Sequence, residues 1–506
     1  MLYRFILLAV FTLFSHGSFG AIKVGISSTP SNLNPFFSTD SNSQNINRLV
    51  HKSLIDFDEN MSATCRLCES FRESHKRDKQ IITFKLKRNQ KFWDGSTITA
   101  KDVENSWKYI TDETSIKSIF RFAFGRIKQV KIINDYEFEL HYDEFKLDNL
   151  SNLVLFKIIK LKNPDAPFNG DISNIIGAGD YELIKSEELA VTLKSLRGEY
   201  PNLEFKVVKD ETTLALKLLN NEIDASVTDM SARKFNWLQE NAKNLKFLSV
   251  PSSNVVYMNI NHSKEQMMDV NIRKALSHLI SREAIKKYKF KNNVTLSNSL
   301  FSKSFKSMHP DFQIDSYNPE LAKKLFEKAG YKKVDGKWQK DGKLFVLDWK
   351  SANTKSTVEI AQTIIQDFEK FGINVHLTVQ EWGTFMKGVK KSQFDLMIGQ
   401  WVGFTGPEML NFVFSSESFP PKGGNRGLYK NPKMDAFLAK AQSEKDELIR
   451  NFYYREALKV ANDDYSYINL WHPNNLWIYK NCLGGIRVYP NGSFLGLEHI
   501  ESRCGN

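Results

Sequence analysis

Long apolar runs are missing from most of this chain: beyond residue 20, no stretch of its 506 residues approaches the ~20 apolar residues that a membrane-spanning helix needs. That excludes an ordinary helical membrane protein. There is no His-Glu-x-x-His, no Gly-x-Ser-x-Gly and no phosphate loop ending in Gly-Lys-Ser/Thr, so no common hydrolase or nucleotide site is spelled out. Helix-turn-helix, zinc-finger and RNA-binding signatures are also lacking. The net charge of +12 therefore points to a solvated basic surface, with lysines interleaved among acids, and not to nucleic acid. Nothing is repetitive, collagen-like or low in complexity. Cysteine is scarce, with four residues: Cys65, Cys68, Cys482 and Cys504.

Residues 1–20 stand apart. Arg4 gives a positive start, Phe5 to Phe14 is almost wholly apolar, and Ser18 and Gly20 offer small residues to a signal peptidase. This is the pattern of a secretory signal peptide, with cleavage expected before Ala21. A soluble, exported and periplasmic mature chain follows. In an oxidising compartment four cysteines suggest disulfides, and four allow three pairings. A Cys482–Cys504 bridge would pin the C-terminal tail. Cys65-Arg66-Leu67-Cys68 also admits a redox reading, which needs a strand feeding a helix, or a zinc site, for which His75 alone supplies too few further ligands. No metal and no cofactor are expected.

The length suits two or three domains with a large core. Alternation of Ile82, Phe84 and Leu86 with Thr83, Lys85 and Lys87 predicts a half-buried strand. Asp94-Gly95 predicts a turn. Thr99 with Asp102 resembles a capping box, followed by Val103, Trp107 and Ile110 on one helical face. Further on, Ile360, Ile364, Phe368 and Phe371 form an amphipathic stripe ended by Gly372, and Gly330 stops the helix that Pro319 opens. Ile176-Gly177-Ala178-Gly179-Asp180-Tyr181 has glycines, but Glu182 stands where a third would complete a nucleotide loop.

The stretch Ile81–Tyr109, with Phe84, Leu86, Phe92, Asp94-Gly95, Thr99-Ala100, Asp102-Val103 and Ser106-Trp107, resembles the signature of the bacterial extracellular solute-binding proteins of family 5. That group holds the dipeptide- and oligopeptide-binding proteins of ABC importers. Ser31-Asn32-Leu33-Asn34-Pro35, Asn220–Ala225, Val270–Leu276, Tyr317–Tyr331, Phe394–Trp401 and Pro432–Arg450 match further family wording, so the resemblance spans nearly the whole mature chain. It implies an α/β fold: a periplasmic-binding-protein two-lobed clamp of type II, cluster C-like, with an extra α/β domain. Implied boundaries are a signal at 1–20; lobe I from 21–47, 162–258 and 477–506; domain II from 48–161; and lobe III from 259–476.

The resemblance also implies a function without catalysis. Two lobes would close on a small-molecule, peptide-like ligand and deliver it to an ABC membrane permease, the protein acting as a monomer with no nucleic acid. Alternatives are a periplasmic interaction or sensor subunit that keeps the fold, or a binder of a sugar or metal chelate. Cleft candidates carried over by position are Asn34, Phe36, Tyr257, Asn259, Trp382, Gln400, Trp401, Gly403, Phe404 and Trp471. Each aromatic has core packing as its plain alternative, and Asn34 an Asn-Pro turn. Arg273 and Arg282 read as structural residues on a helix surface and, less readily, as anion binders. The main departure is Phe404, where peptide-binding relatives carry an Asp that holds the free α-amino group. Either another acid, such as Glu381 or Glu408, takes that role, or the ligand lacks the ammonium, as a blocked or modified peptide, a cell-wall fragment, a sugar or a metal chelate would.

Overall fold

The computed structural model describes residues 20–76, 79–112, 118–164, 170–227, 230–309, 312–403 and 405–504. The signal segment up to residue 19 and Phe404 lie outside the described residues.

A twelve-stranded mixed sheet frames the molecule. From one edge its strands run Tyr181–Glu187, Ala190–Ser195, Leu203–Val207, Ile22–Ile26, Ala225–Val227, Tyr467–Lys480, Val255–Ile260, Leu396–Trp401, Val346–Ala352 and Asn374–Gln380. Leu245–Pro251 and Val294–Leu296 pair separately with Tyr467–Lys480. That strand is 14 residues long and joins the two lobes. Its C-terminal half pairs with Ala225–Val227, and its N-terminal half with Val255–Ile260. It is mostly buried on both faces, which is why it reads as a nearly unbroken apolar and aromatic run and not as an alternation.

The signature stretch builds an inserted domain. Its antiparallel sheet runs Cys68–Lys76, Lys79–Leu86, Glu137–Tyr142, Ile127–Asn134. Ile82, Phe84 and Leu86 are buried, as the alternation requires. Gly95 takes φ +81°, the conformation a glycine adopts without steric penalty. The Asp102 carboxylate accepts from the Thr99 N–H at 2.8 Å and starts the helix Ala100–Thr111. Val103 and Ile110 of that helix are buried, and the Trp107 indole N–H donates to the Phe124 carbonyl at 3.2 Å. The helix Lys355–Phe371 buries the predicted stripe and ends at Gly372, φ +103°.

Two disulfides form, Cys65–Cys68 and Cys482–Cys504. The first closes a tight loop between the short strand Ala63–Cys65 and the strand Cys68–Lys76, with no helix following it. A redox setting is therefore not built. Instead the loop aims Arg66 at Glu498, 432 residues away, in a two-pronged pair at 2.7 and 2.9 Å.

The paired glycines of Gly177-Ala178-Gly179 have a packing reason. A Cβ on Gly177 would lie 2.4 Å from the Val50 carbonyl oxygen, and one on Gly179 2.0 Å from that of Leu49. The loop is pressed onto the end of the helix Ser41–Val50. Asp180 binds Lys52 at 2.7 Å and Arg197 at 3.1 Å.

Arg273 and Arg282 keep structural roles, but inside the protein and not on a helix surface. Arg273 donates to the carbonyls of Asp464 and Met267 at 2.8 and 2.7 Å, and Arg282 to that of Ser277 at 2.8 Å. Main-chain carbonyls at helix ends supply the acceptors that let these guanidinium groups be buried.

One apolar cluster runs from the inserted domain, through Ile82, Phe84 and Phe138, into the third lobe at Leu410, Tyr454 and Tyr467. The inserted domain therefore rests directly on the third lobe, and the cavity described next opens along that contact.

Candidate functional site

Strand Leu396–Trp401 pairs with Val255–Ile260 so that Tyr257 faces Gly399. The Tyr257 ring lies across that glycine: a Cβ there would meet Cζ and Oη at 2.6 Å. Tyr257 stacks on Tyr467 at 4.3 Å between ring centroids and on Trp401 at 5.9 Å. Trp401 meets the edge of Phe412 at 5.9 Å, and the Arg426 guanidinium sits 4.8 Å from its ring centroid. Gly399→Ala is expected to push Tyr257 out of this stack and destabilise the protein by about 1–3 kcal/mol. Urea unfolding of the variant checks it; an unchanged midpoint would show that the ring can move freely.

Phe412 also borders a cavity of about 720 Å³ between the inserted domain and the third lobe. Residues 144–152 form one wall, with Asp148 and Ser151; Thr405, Glu408 and Asn411 belong to the other. Asp148 is already paired with Arg126 at 2.8 Å. Glu408 differs. Its carboxylate accepts a long 3.4 Å bond from the Ser151 hydroxyl and one from its own main-chain N–H, and among the described residues it forms no ion pair. Burial pushes its carboxyl pKa up. A carboxylate so placed gains from an incoming cation. Glu381, the other acid in question, is used up locally. It accepts from the Gly383 and Thr384 N–H groups as a helix cap, and those bonds hold its pKa down.

The structure brings Tyr257, Asn259 and Trp401 together on one face of the sheet. Asn259 is fully buried, and neither atom of its carboxamide has a hydrogen-bond partner among the described residues. The remaining candidates are placed elsewhere. Asn34 is an Asx turn: its side chain accepts from the Phe36 N–H at 3.0 Å and donates to the Gly170 carbonyl at 2.7 Å. Phe36 is in the core shared with the inserted domain. Trp471 is buried against Phe290, 5.1 Å between centroids. Trp382 is exposed at the start of the helix Trp382–Lys390, next to Phe385. Gln400 is exposed; Gly403 takes φ +71° and donates its N–H to the Asn254 side chain at 3.1 Å. Tyr467, Phe412 and Arg426 escaped the sequence reading. Their only signal was proximity to familiar wording, since no spacing links them to Trp401.

A family description, bacterial extracellular solute-binding proteins, family 5 Middle, matches residues 65–419. The oligopeptide-binding protein AppA of Bacillus subtilis is 26% identical over 505 residues, covering 95% of this chain and 91% of that protein. Its solved structure in complex with a nonapeptide superposes with a TM-score of 0.69 at 23% identity, covering 96% of this chain and 99% of that one. NikZ from Campylobacter jejuni, solved in complex with Ni(L-His), gives a TM-score of 0.73 at 24% identity, covering 95% and 99%. These structural likenesses show the shared two-lobed α/β fold.

Proposed function

The chain belongs to family 5 of the bacterial extracellular solute-binding proteins, and from that premise we propose that it is the periplasmic capture component of an ABC importer, holding a peptide-like solute between its lobes for a membrane permease. Export by a cleaved signal at residues 1–20 and action as a monomer belong to the same reading. The observation that carries it is Glu408: a half-buried carboxylate without an ionic partner among the described residues, on the wall of an interlobe cavity. It replaces the acid that Phe404 displaces. The α-ammonium of a peptide supplies the cation that Glu408 lacks, and the cavity takes the residues behind it. Extended peptides are commonly held through main-chain hydrogen bonds, with side chains in roomy pockets.

Native mass spectrometry of protein taken gently from its own periplasm tests the ligand class. A ladder of extra masses that fragment into amino acids supports peptide capture. A single non-peptide mass would replace it with a dedicated solute, and persistently bare protein would favour an interaction or sensor subunit. For the anchor, Glu408→Gln is expected to weaken binding of tri-alanine by about tenfold or more, the loss of one charge-assisted hydrogen bond. An N-acetylated tripeptide should not distinguish the variant from wild type. Because burial raises the Glu408 pKa, acidification should weaken tri-alanine binding at a higher pH than an ordinary carboxylate would. Equal calorimetric affinities for wild type and Glu408→Gln would remove Glu408 from the site.

A further inference from the structure

A second cavity, of about 510 Å³, lies between the signature stretch and Tyr181–Glu187, the edge strand of the large sheet. It shares no lining residue with the cavity that Glu408 borders. Two of its lining residues, His51 and Trp93, carry polar groups that the fold leaves unused. The His51 ring is buried, and neither of its nitrogens has a hydrogen-bond partner among the described residues. The Trp93 indole N–H is likewise buried and without a partner among them. The two rings stack at 5.6 Å between centroids. Trp93 is fixed in place: its main-chain N–H donates to the Gly177 carbonyl at 3.1 Å, and a Cβ on Gly177 would lie 2.2 Å from its Cζ2. The remaining walls are largely aliphatic, with Ile175, Ile176, Leu183 and Ile184.

Buried polar groups are ordinarily hydrogen-bonded, so a cavity lined by two that are not calls for a partner from outside the chain. An indole N–H only donates, and a neutral imidazole donates once and accepts once. Burial and the charge of Lys157 keep the His51 ring neutral at pH 7. Lys157 is itself buried; its ammonium donates to the Val154 carbonyl at 3.0 Å and to the Ser53 hydroxyl at 3.3 Å. Lys162 and Lys185 line the cavity and are exposed. Two acids also line it, but Asp94 is paired with Lys160 at 2.7 Å, which leaves Glu182 against the three lysines. Donors set in a positive field suit an anionic acceptor, and hydrocarbon walls suit an aliphatic body. We infer that this cavity is a second ligand site, taking an aliphatic monocarboxylate whose head meets the His51 imidazole and the Trp93 indole N–H and whose chain lies along the isoleucines and Leu183. It goes beyond peptide capture and does not depend on it.

Calorimetry at pH 7 with octanoate, octanol and butyrate tests the site. Octanoate is expected to bind saturably, and about tenfold or more tighter than octanol, which has the same chain and no charge. Affinity should fall by about fourfold for each CH₂ removed between octanoate and butyrate. His51→Phe keeps a ring and removes both nitrogens, and Trp93→Phe removes the indole N–H. Each should weaken octanoate by about tenfold. Lys162→Gln, at an exposed position, should weaken it by about two- to fivefold. The site is overturned if octanoate gives no saturable heat, if octanol binds as tightly, or if both ring variants keep the wild-type affinity. Should neither ring variant fold, Lys162→Gln decides: a weaker octanoate affinity supports the site, and an unchanged one overturns it.

Discussion

Lowering the pH from 7 to 4 is expected to remove about 6 kcal/mol of folding stability through His51 and His472 alone. Both rings are buried, at 1% exposure. Burial, reinforced at His51 by the charge of Lys157, brings the His51 pKa down to about 3. Burial brings that of His472 down to about 4, against the hydrogen bond it makes with the Asn254 carbonyl. A histidine whose folded pKa lies below its unfolded value of 6.5 binds fewer protons folded than unfolded. Stability therefore rises with pH across that window. The contribution is complete above 6.5 and is lost as the pH falls towards the folded pKa. At ~1.4 kcal/mol per pH unit each ring accounts for about 3 kcal/mol by pH 4. His262, lowered to about 4 chiefly by burial, acts in the same direction.

His51 offers the clean test. Neither of its ring nitrogens has a hydrogen-bond partner among the described residues, and it stacks on Trp93 at 5.6 Å between centroids. His51→Phe replaces it with a ring of similar shape that cannot protonate. The variant should match wild type at pH 7 within about 1 kcal/mol and exceed it by about 3 kcal/mol at pH 4. Urea unfolding at pH 7, 6, 5 and 4 reads this directly. Parallel curves would mean that His51 titrates normally in the folded state.

Glu498→Ala is expected to destabilise the protein by about 3–5 kcal/mol, because it strands a buried guanidinium. Burial opposes the Arg66 charge, and Glu498 more than offsets this, leaving the Arg66 pKa raised. The pair is two-pronged and nearly closed to solvent, with side-chain exposures of 13% and 8%. It also spans the fold, tying the Cys65–Cys68 disulfide loop to the C-terminal segment that the Cys482–Cys504 bridge closes. The double variant Arg66→Met/Glu498→Leu should recover much of the loss. An apolar pair of similar volume avoids the desolvation that the ions incur. A double-mutant cycle in urea tests both statements. A Glu498→Ala loss below ~1 kcal/mol would show the pair to be as weakly coupled as an exposed one.

Much of this molecule is legible locally. Ile82, Phe84 and Leu86 announce a strand, Thr99 with Asp102 a capped helix, Gly372 the end of the helix Lys355–Phe371, and Asp94-Gly95 a turn. Each depends on the geometry of a few neighbouring residues, so spacing suffices. The family wording rests on the same local words. The site is only half legible. Trp401 could be placed by its neighbours in sequence, whereas Tyr467 and Arg426 could not.

By itself, the sequence determined the α/β class, the caps, the turns and the family. Only the tertiary structure decided which residues meet. Alternation says that Tyr257 and Asn259 share a face, but only strand register sets Gly399 and Tyr467 against that face. Likewise only the packing around the cavity leaves Glu408 half-buried without a counter-charge among the described residues, and Glu381, an acid of the same type, consumed by a helix cap. A charged side chain's role depends on what lies within a few ångströms of it, and that distance is not written along the chain.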